Sequence, residues 1–306
     1  MKSYTFDVGG TGTKCIVFEN KKEIKNEYLT CEADVVTEFF TKTRLVKVFE
    51  EISKVLDNEK EEFNVFLALP GIIDSKNKKI LSPSTITEID INIEEYFSKY
   101  KNMKKILIEN DAKSAAIGEF YERNKTKKVS NMVHITIGTA IGGGIIINGK
   151  IYNGANLRAG EFGKMYSSIG NERNYSVTFD TGLGALLFKR KFLNKEEKIL
   201  TGKQMFELYN EGEEIAVKMI DEWIEQIAKL IINLDYVLDF ELITIGGGVS
   251  ENEQFQDMIK KAISKNKEFV FQGMVMNINQ EIESKFDISM LKNKAACYGG
   301  LYLLNK

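Results

Sequence analysis

Two carboxylates and three glycine-rich turns are the parts of this chain with chemistry in reach. Asp111 ends the run Glu109-Asn110-Asp111 at a junction between a predicted strand and a predicted helix. A carboxylate there can take a proton from a hydroxyl, although aspartate is also a preferred helix N-cap, and that plainer role stays open. Asp7 stands at the lip of Gly9-Gly10-Thr11-Gly12-Thr13. Glycines at such a lip offer amide donors to phosphate, and the carboxylate can hold Mg2+ through water. Asp7 reads equally well as a polar residue finishing an edge strand. Thr11, Thr13 and Lys14 would add phosphate contacts, with Lys14 alone explicable as an exposed strand lysine. A second turn, Gly138-Thr139-Ala140-Ile141-Gly142-Gly143-Gly144, repeats the logic for distal phosphates. Its triple glycine costs about 0.5–1 kcal/mol per residue relative to alanine, which points to a ligand in close approach. The third is the bare turn Gly246-Gly247-Gly248.

The elements that must position these residues follow from periodicity. Ser3 to Val8 and Lys14 to Glu19 alternate as strands around the first turn. A strand, not a helix, follows the glycines, so a dinucleotide fingerprint or a P-loop lacks its context. A helix is expected from Arg44 to Leu56, a buried strand from Phe63 to Leu69 ending at Pro70-Gly71, a short strand from Lys105 to Ile108 and a helix from Ala112 to Tyr121. Shifting the chain by 129 positions lays Phe6-Asp7-Val8-Gly9 over Ile135-Thr136-Ile137-Gly138 and Cys15 to Glu19 over Gly144 to Asn148. This suggests a duplicated fold holding a nucleotide between its halves. Further on come an amphipathic helix from about Glu213 to Val237, a strand from Leu242 to Ile245, possible caps Ser250 and Asn252, and a final helix from Ala295 to Leu304.

Bulk properties narrow the class. A chain of 306 residues exceeds one compact core, so two domains with a cleft between them are expected. Charged residues make up 28% with signs interleaved, and the formal net charge of −2 argues against a nucleic-acid partner. Cys15, Cys31 and Cys297 are scattered without metal-site spacing, which fits a reducing cytoplasm. The sole histidine, His134, reads as a sheet residue rather than a ligand. No leader peptide and no membrane span are expected.

Asp7-Val8-Gly9-Gly10-Thr11, Leu69-Pro70-Gly71, Glu109-Asn110-Asp111, Gly138-Thr139 with Gly142-Gly143-Gly144, Ala159-Gly160-Glu161-Phe162-Gly163 and Gly246-Gly247-Gly248 occur in that order. Their conjunction resembles the ROK family of sugar kinases. The resemblance implies an α/β actin-like ATPase fold, related to ribonuclease H, with two similar domains around a cleft. The expected domains are 1–111 plus 292–306 and 112–291, closing on the substrate about hinges near 110–113 and 290–294. It implies ATP and Mg2+ as cofactors, Asp7 serving the metal and both hairpin turns the phosphates. Gly246 to Gly248 would hold the adenosine. Asp111 would be the base, with Asn110, Gly71 and Glu161 on sugar hydroxyls, and carbon 6 would carry the hydroxyl that is phosphorylated.

Two departures from the family pattern bear on substrate. Lys164 stands where most relatives have a histidine, and Met165 to Val177 has no cysteine, so no zinc is expected; Lys164 would either contact the sugar or point to solvent. The sugar loop reads Leu81-Ser82-Pro83-Ser84-Thr85-Ile86-Thr87 where glucokinase-like relatives carry asparagine and tryptophan. Its small residues, Ser84 among them, would leave room for a substituent at carbon 1 or 2. That favours N-acetylmannosamine, with a β-glucoside or glucose as alternatives. A DNA-binding regulator is not expected, because only six residues precede Asp7, and a non-catalytic sugar sensor is the rival of another class. A homodimer built on the second domain is implied as well.

Overall fold

The computed structural model describes residues 1–10, 12–37, 41–165, 182–277 and 281–306. The chain divides into two compact units: residues 1–128, 151–159 and 294–306 form unit 1, and residues 129–150 and 160–293 form unit 2.

Unit 1 opens with β1 (Lys2–Val8), β2 (Thr13–Glu19) and β3 (Lys22–Leu29), followed by β4 (Val35–Val36), β5 (Thr41–Arg44) and α1 (Leu45–Leu56). Then come β6 (Phe63–Leu69), β7 (Ile73–Asp74), β8 (Lys79–Ile80), β9 (Ile86–Thr87), α2 (Ile93–Phe97), β10 (Met103–Asn110) and α3 (Asp111–Arg123). The main sheet has the order β10-β6-β1-β2-β3. β1 runs parallel to β6 and antiparallel to β2. Every residue of β6 is buried, as a strand covered on both faces requires. The period-two alternation of β2 sends Cys15 and Val17 into the cluster built with Phe49 of α1, and Ile16 and Phe18 to the opposite face. There they meet Cys297 and Leu301 of the C-terminal helix (Ala295–Leu304).

That helix and α3 lie backbone against backbone. A Cβ at Gly299 would drive into the Ser114 carbonyl, and one at Gly118 into the Ala295 carbonyl. Hence α3, which the sequence suggests as the start of a second domain, packs within unit 1.

Unit 2 contains β11 (Met132–Ile137), β12 (Ile141–Ile147), β13 (Lys150–Ile151), α4 (Leu183–Asn194), α5 (Gly202–Asn210), α6 (Glu214–Leu238) and β14 (Leu242–Gly246). They are followed by α7 (Glu253–Asn266), β15 (Glu268–Phe271), β16 (Met274–Asn277), α8 (Ile282–Lys285) and β17 (Phe286–Ile288); the C-terminal helix of unit 1 is α9. The sheet order is β13-β12-β11-β14-β17, with β11 antiparallel to β12 and parallel to β14. Position for position this is the arrangement of unit 1, so the internal repeat extends from a short motif to a whole sheet. The amphipathic stripe of α6 buries Trp223 beside Phe255 of α7, ring centroids 5.4 Å apart.

One expectation needs correction. Gly142, Gly143 and Gly144 lie within β12, opposite Thr136, Ile135 and His134, and the turn proper is only Gly138 to Ala140. The cause is packing inside the unit. The Phe162 ring occupies the space where a Gly143 side chain would stand, and a Cβ at Gly160 would lie 3.3 Å from the Gly144 Cα.

The α3–α9 contact makes a direct prediction. Gly299→Ala is expected to destabilise the protein by about 1–3 kcal/mol through overpacking, read as a lowered thermal midpoint. An unchanged midpoint would show that the two helices separate freely.

Candidate functional site

In unit 1 the site is built where β10 ends. Asn110, not Asp111, caps α3: its Oδ1 accepts from Lys113 N at 3.0 Å. Asp111 is therefore the first helical residue, its Oδ1 accepting from Ala112 N at 2.8 Å, and its carboxylate sits at the positive end of the helix dipole. The Nδ2 of Asn110 donates to Gly71 O at 2.9 Å, tying β10 to the turn after β6. Gly71 has φ +102°, a left-handed conformation that glycine adopts freely, and a Cβ there would lie 2.5 Å from Ser82 O. Ser82 Oγ accepts from Ile72 N at 3.0 Å, which fastens the Ser82–Thr85 loop to the same turn. Beside it the Ser84 hydroxyl is shut off from solvent and finds no partner among the described residues. Buried hydroxyls normally have one, so a ligand oxygen is the simplest completion.

The first glycine turn belongs to the same unit. Gly9 N donates to Gly12 O at 2.9 Å, and the carbonyl of Gly10 accepts from Thr41 Oγ1 at 2.6 Å and Thr43 Oγ1 at 3.2 Å. A Cβ at Gly10 would lie 2.9 Å from Thr85 Cβ, so this turn and the Ser82–Thr85 loop share one surface. Thr11 lies outside the described residues. Thr13 is buried in β2, and Lys14 is half-buried opposite Asp7 in the ladder. Burial pushes the Asp7 carboxyl up to about 6, with the Lys14 ammonium pulling the other way.

Whether Asp7 fits Mg2+ is decided by what surrounds it. Among the described residues no three histidine, cysteine or acidic side chains come together as a metal cage. A single carboxylate at the edge of an amide-lined turn suits an ion that keeps its waters and takes the rest of its ligands from phosphates.

In unit 2 the glycines separate into two kinds. A Cβ at Gly246 would press within 2.8 Å of the His134 ring, and Gly247 has φ +88° and backs onto the Ile137 carbonyl. Their smallness serves packing. A Cβ at Gly138 or Gly248 would meet no atom of the described residues within 4 Å, so packing among them does not require glycine there. The Gly138 and Thr139 carbonyls accept from Gly184 N and Ala185 N, each at 3.3 Å, so the first turn of α4 braces this hairpin. Gly142 is partly exposed in β12. His134 is buried, with Nδ1 2.8 Å from Thr244 Oγ1, a residue of the sheet. Of the expected helix caps, Asn252 Oδ1 accepts from Phe255 N, whereas Ser250 donates to the Gly247 carbonyl.

Glu161 precedes a single 3-10 turn (Phe162–Lys164), and Lys164 Nζ lies 2.8 Å from its Oε2. The lysine is 68% exposed and the glutamate 28%. Residues three apart eclipse in this helix type, which brings the two side chains together. Lys164 is thus largely exposed and paired with the acid expected to bind sugar. The cysteine-free stretch from Met165 to Val177 lies, apart from Met165, outside the described residues.

Sequence reasoning gave no role of their own to Glu109, Lys113, Thr41, Thr43 or Ser82. Burial pushes the Glu109 carboxyl up, against the pull of Asn110 N–H, Ser75 and Lys113. Thr41, Thr43 and Lys113 have partners 31 to 44 residues away, so nothing local marks them.

The raised Asp7 carboxyl predicts a pH dependence. Its value of about 6 lies above the unperturbed 3.8, so its contribution to stability is complete below pH ~4 and lost as pH rises through ~6. Urea unfolding of the nucleotide-free protein should show more stability at pH 5 than at pH 7.5. Asp7→Asn should shrink that difference; an identical pH profile in the variant would contradict the assignment.

Comparison with known proteins adds an independent line. Residues 3–306 match the model of the ROK family. The β-glucoside kinase of Listeria innocua serovar 6a is 29% identical over 265 residues, covering 85% of this chain and 87% of that protein. The solved Lmo2764 protein of Listeria monocytogenes, itself only provisionally named an N-acetylmannosamine kinase, superposes with a TM-score of 0.80 at 25% identity over 99% of this chain and 98% of its own. A ROK glucokinase from Streptomyces griseus, solved with glucose and AMPPNP, shares the fold with a TM-score of 0.75 at 20% identity over 99% of each chain. With two like-ordered α/β sheets and a family match running from residue 3 to the last residue, the chain belongs to the ROK family and has its actin-like ATPase fold.

Proposed function

We propose that this protein is an ATP-dependent sugar 6-kinase whose substrate is N-acetylmannosamine. The observation that carries the catalytic part is the place of Asp111, the first residue of α3 at the end of β10, in a helix capped by Asn110. In the reaction the sugar oxygen forms a bond to the γ-phosphorus of ATP, the bond from that phosphorus to the bridging oxygen breaks, and ADP leaves. Asp111 takes the proton from the attacking hydroxyl. Gly71, Asn110 and Glu161 hold sugar hydroxyls, with the Asn110 amide keeping one hydrogen beyond that given to Gly71. Backbone amides of the turns at Gly9-Gly10 and Gly138-Thr139 stabilise phosphate charge, aided by Thr11, Thr13 and Lys14, and Gly246 to Gly248 receive the adenosine. Mg2+, when bound at Asp7, neutralises charge on the phosphates.

Substrate choice rests on the Ser82–Thr85 loop and Lys164. The Ser84 hydroxyl, unpartnered among the described residues, and the small side chains of Ser82, Ser84 and Thr85 suit a sugar with a group on carbon 2, and the similarity to the Lmo2764 protein agrees. A β-glucoside is the second reading, favoured by the resemblance to the Listeria innocua enzyme. Among the described residues no helix is long and apolar enough to cross a membrane, and we read the protein as cytoplasmic. We also read it as a homodimer through unit 2, whose β15–β16 hairpin leaves Val270, Phe271, Met274 and Val275 exposed.

Coupled ADP release with N-acetylmannosamine, N-acetylglucosamine, glucose and cellobiose tests this directly. Turnover is expected on N-acetylmannosamine foremost, indifferent to a zinc chelator, and Asp111→Asn should lower kcat by roughly 10²- to 10⁴-fold with an unchanged circular dichroism spectrum. ATP binding without sugar-dependent turnover would replace the kinase reading with a sugar sensor.

A further inference from the structure

Lys113 is the third residue of α3 and only 2% exposed. Lysine is almost never buried this far unless its ammonium is paired. Here Nζ donates to Asn153 Oδ1 and to Leu157 O, both at 2.9 Å, and the buried Glu109 carboxylate adds a favourable field. The two acceptors bracket a loop, residues 152–159, that contains no helix or strand and no buried residue. Apolar packing therefore does little to hold it. Its shape is also demanding, because Leu157 sits at φ +61°, a conformation uncommon for any side chain larger than asparagine. Among the described residues, the hydrogen bonds found joining this loop to the rest of unit 1 are those of Lys113; the bond from Ala159 N to Asn153 O, 3.2 Å, closes the loop on itself.

We propose that Lys113 is a positioning residue for the sugar. Its buried ammonium fixes the loop 152–158, and Glu161 follows Leu157 by four residues, so the tether sets how the chain runs into the turn that carries Glu161. The inference rests on the sugar-binding role given to Glu161 above. It assigns to Lys113 no contact with either substrate.

Two measurements separate the proposal from that reading. Trypsin cleaves after Arg158, which lies inside the tethered loop and is exposed, so Lys113→Met should speed native-state cleavage at that bond by about tenfold or more whatever the protein catalyses. In the kinase assay the same variant should raise the sugar KM by about tenfold while kcat and the ATP KM stay within about twofold. Asn153→Ala, which removes one acceptor at a partly exposed site, should shift both readouts in the same direction by less. Adding it to Lys113→Met should change nothing further, as expected for residues in one network. Should Lys113→Met fail to fold, Asn153→Ala alone decides. Unchanged cleavage after Arg158 overturns the tether; faster cleavage with an unchanged sugar KM, or with sugar and ATP KM rising together, overturns its role toward the sugar.

Discussion

One side chain, Asn110, ties together the parts of unit 1 that matter for chemistry. Through Oδ1 it caps α3 and through Nδ2 it holds the Gly71 carbonyl, so a single amide joins the ends of two parallel strands and the start of a helix. An aspartate at 110 could accept from Lys113 N but could not donate to Gly71. An alanine could do neither, and would leave the Lys113 amide unsatisfied in a buried place, an omission that typically costs about 1–3 kcal/mol. Because Asn110 fills the capping role, Asp111 stands one residue on, as the first residue of the helix. Gly71 in turn seats Ser82, and the Ser82–Thr85 loop reaches the Gly9–Gly12 turn through Thr85 and Gly10. The chain of contacts from Asn110 to the first glycine turn is short: hydrogen bonds carry it as far as Ser82, and it ends on the close approach of Thr85 to Gly10.

Duplication gives the second half the same strand order but not the same chemistry. Asp7 and Thr136 occupy equivalent places, each on the first strand of the hairpin and two residues before its turn glycine. A carboxylate lies at one and a neutral hydroxyl at the other, so of these two places only the first would offer a cation a charged ligand. The glycines differ as well. Those of β12 are small because Phe162 and Gly160 lie over them, whereas Gly138 and Gly248 are small in open space. One set is required by packing, and the other is not.

How far the sequence was legible follows from these contacts. Strands such as β6 and helices such as α1, α6 and α9 were readable because burial on a periodic face leaves its mark in neighbouring residues. Asp111 and the glycine turns stood out through residue type and position. The triple glycine misled because a strand glycine covered by an aromatic ring looks, in one dimension, like a turn glycine. Asn110 as the cap was missed because asparagine and aspartate are near-equal caps, and only the geometry at Gly71 decides between them. Lys113 gave no signal at all, since its acceptors are 40 and 44 residues away. The exposed pairing of Lys164 with Glu161 was within reach, as an i,i+3 spacing, but needed a helical turn that the flanking glycines did not suggest.

The central claim is that this chain moves a phosphoryl group from ATP to a sugar hydroxyl, and the nature of the product tests it most directly. Phosphorus NMR of the mixture formed from ATP and N-acetylmannosamine should show a phosphomonoester coupled to the protons on carbon 6, growing in step with ADP. Inorganic phosphate as the only new signal would mean that water, not sugar, is the acceptor, and would contradict the account.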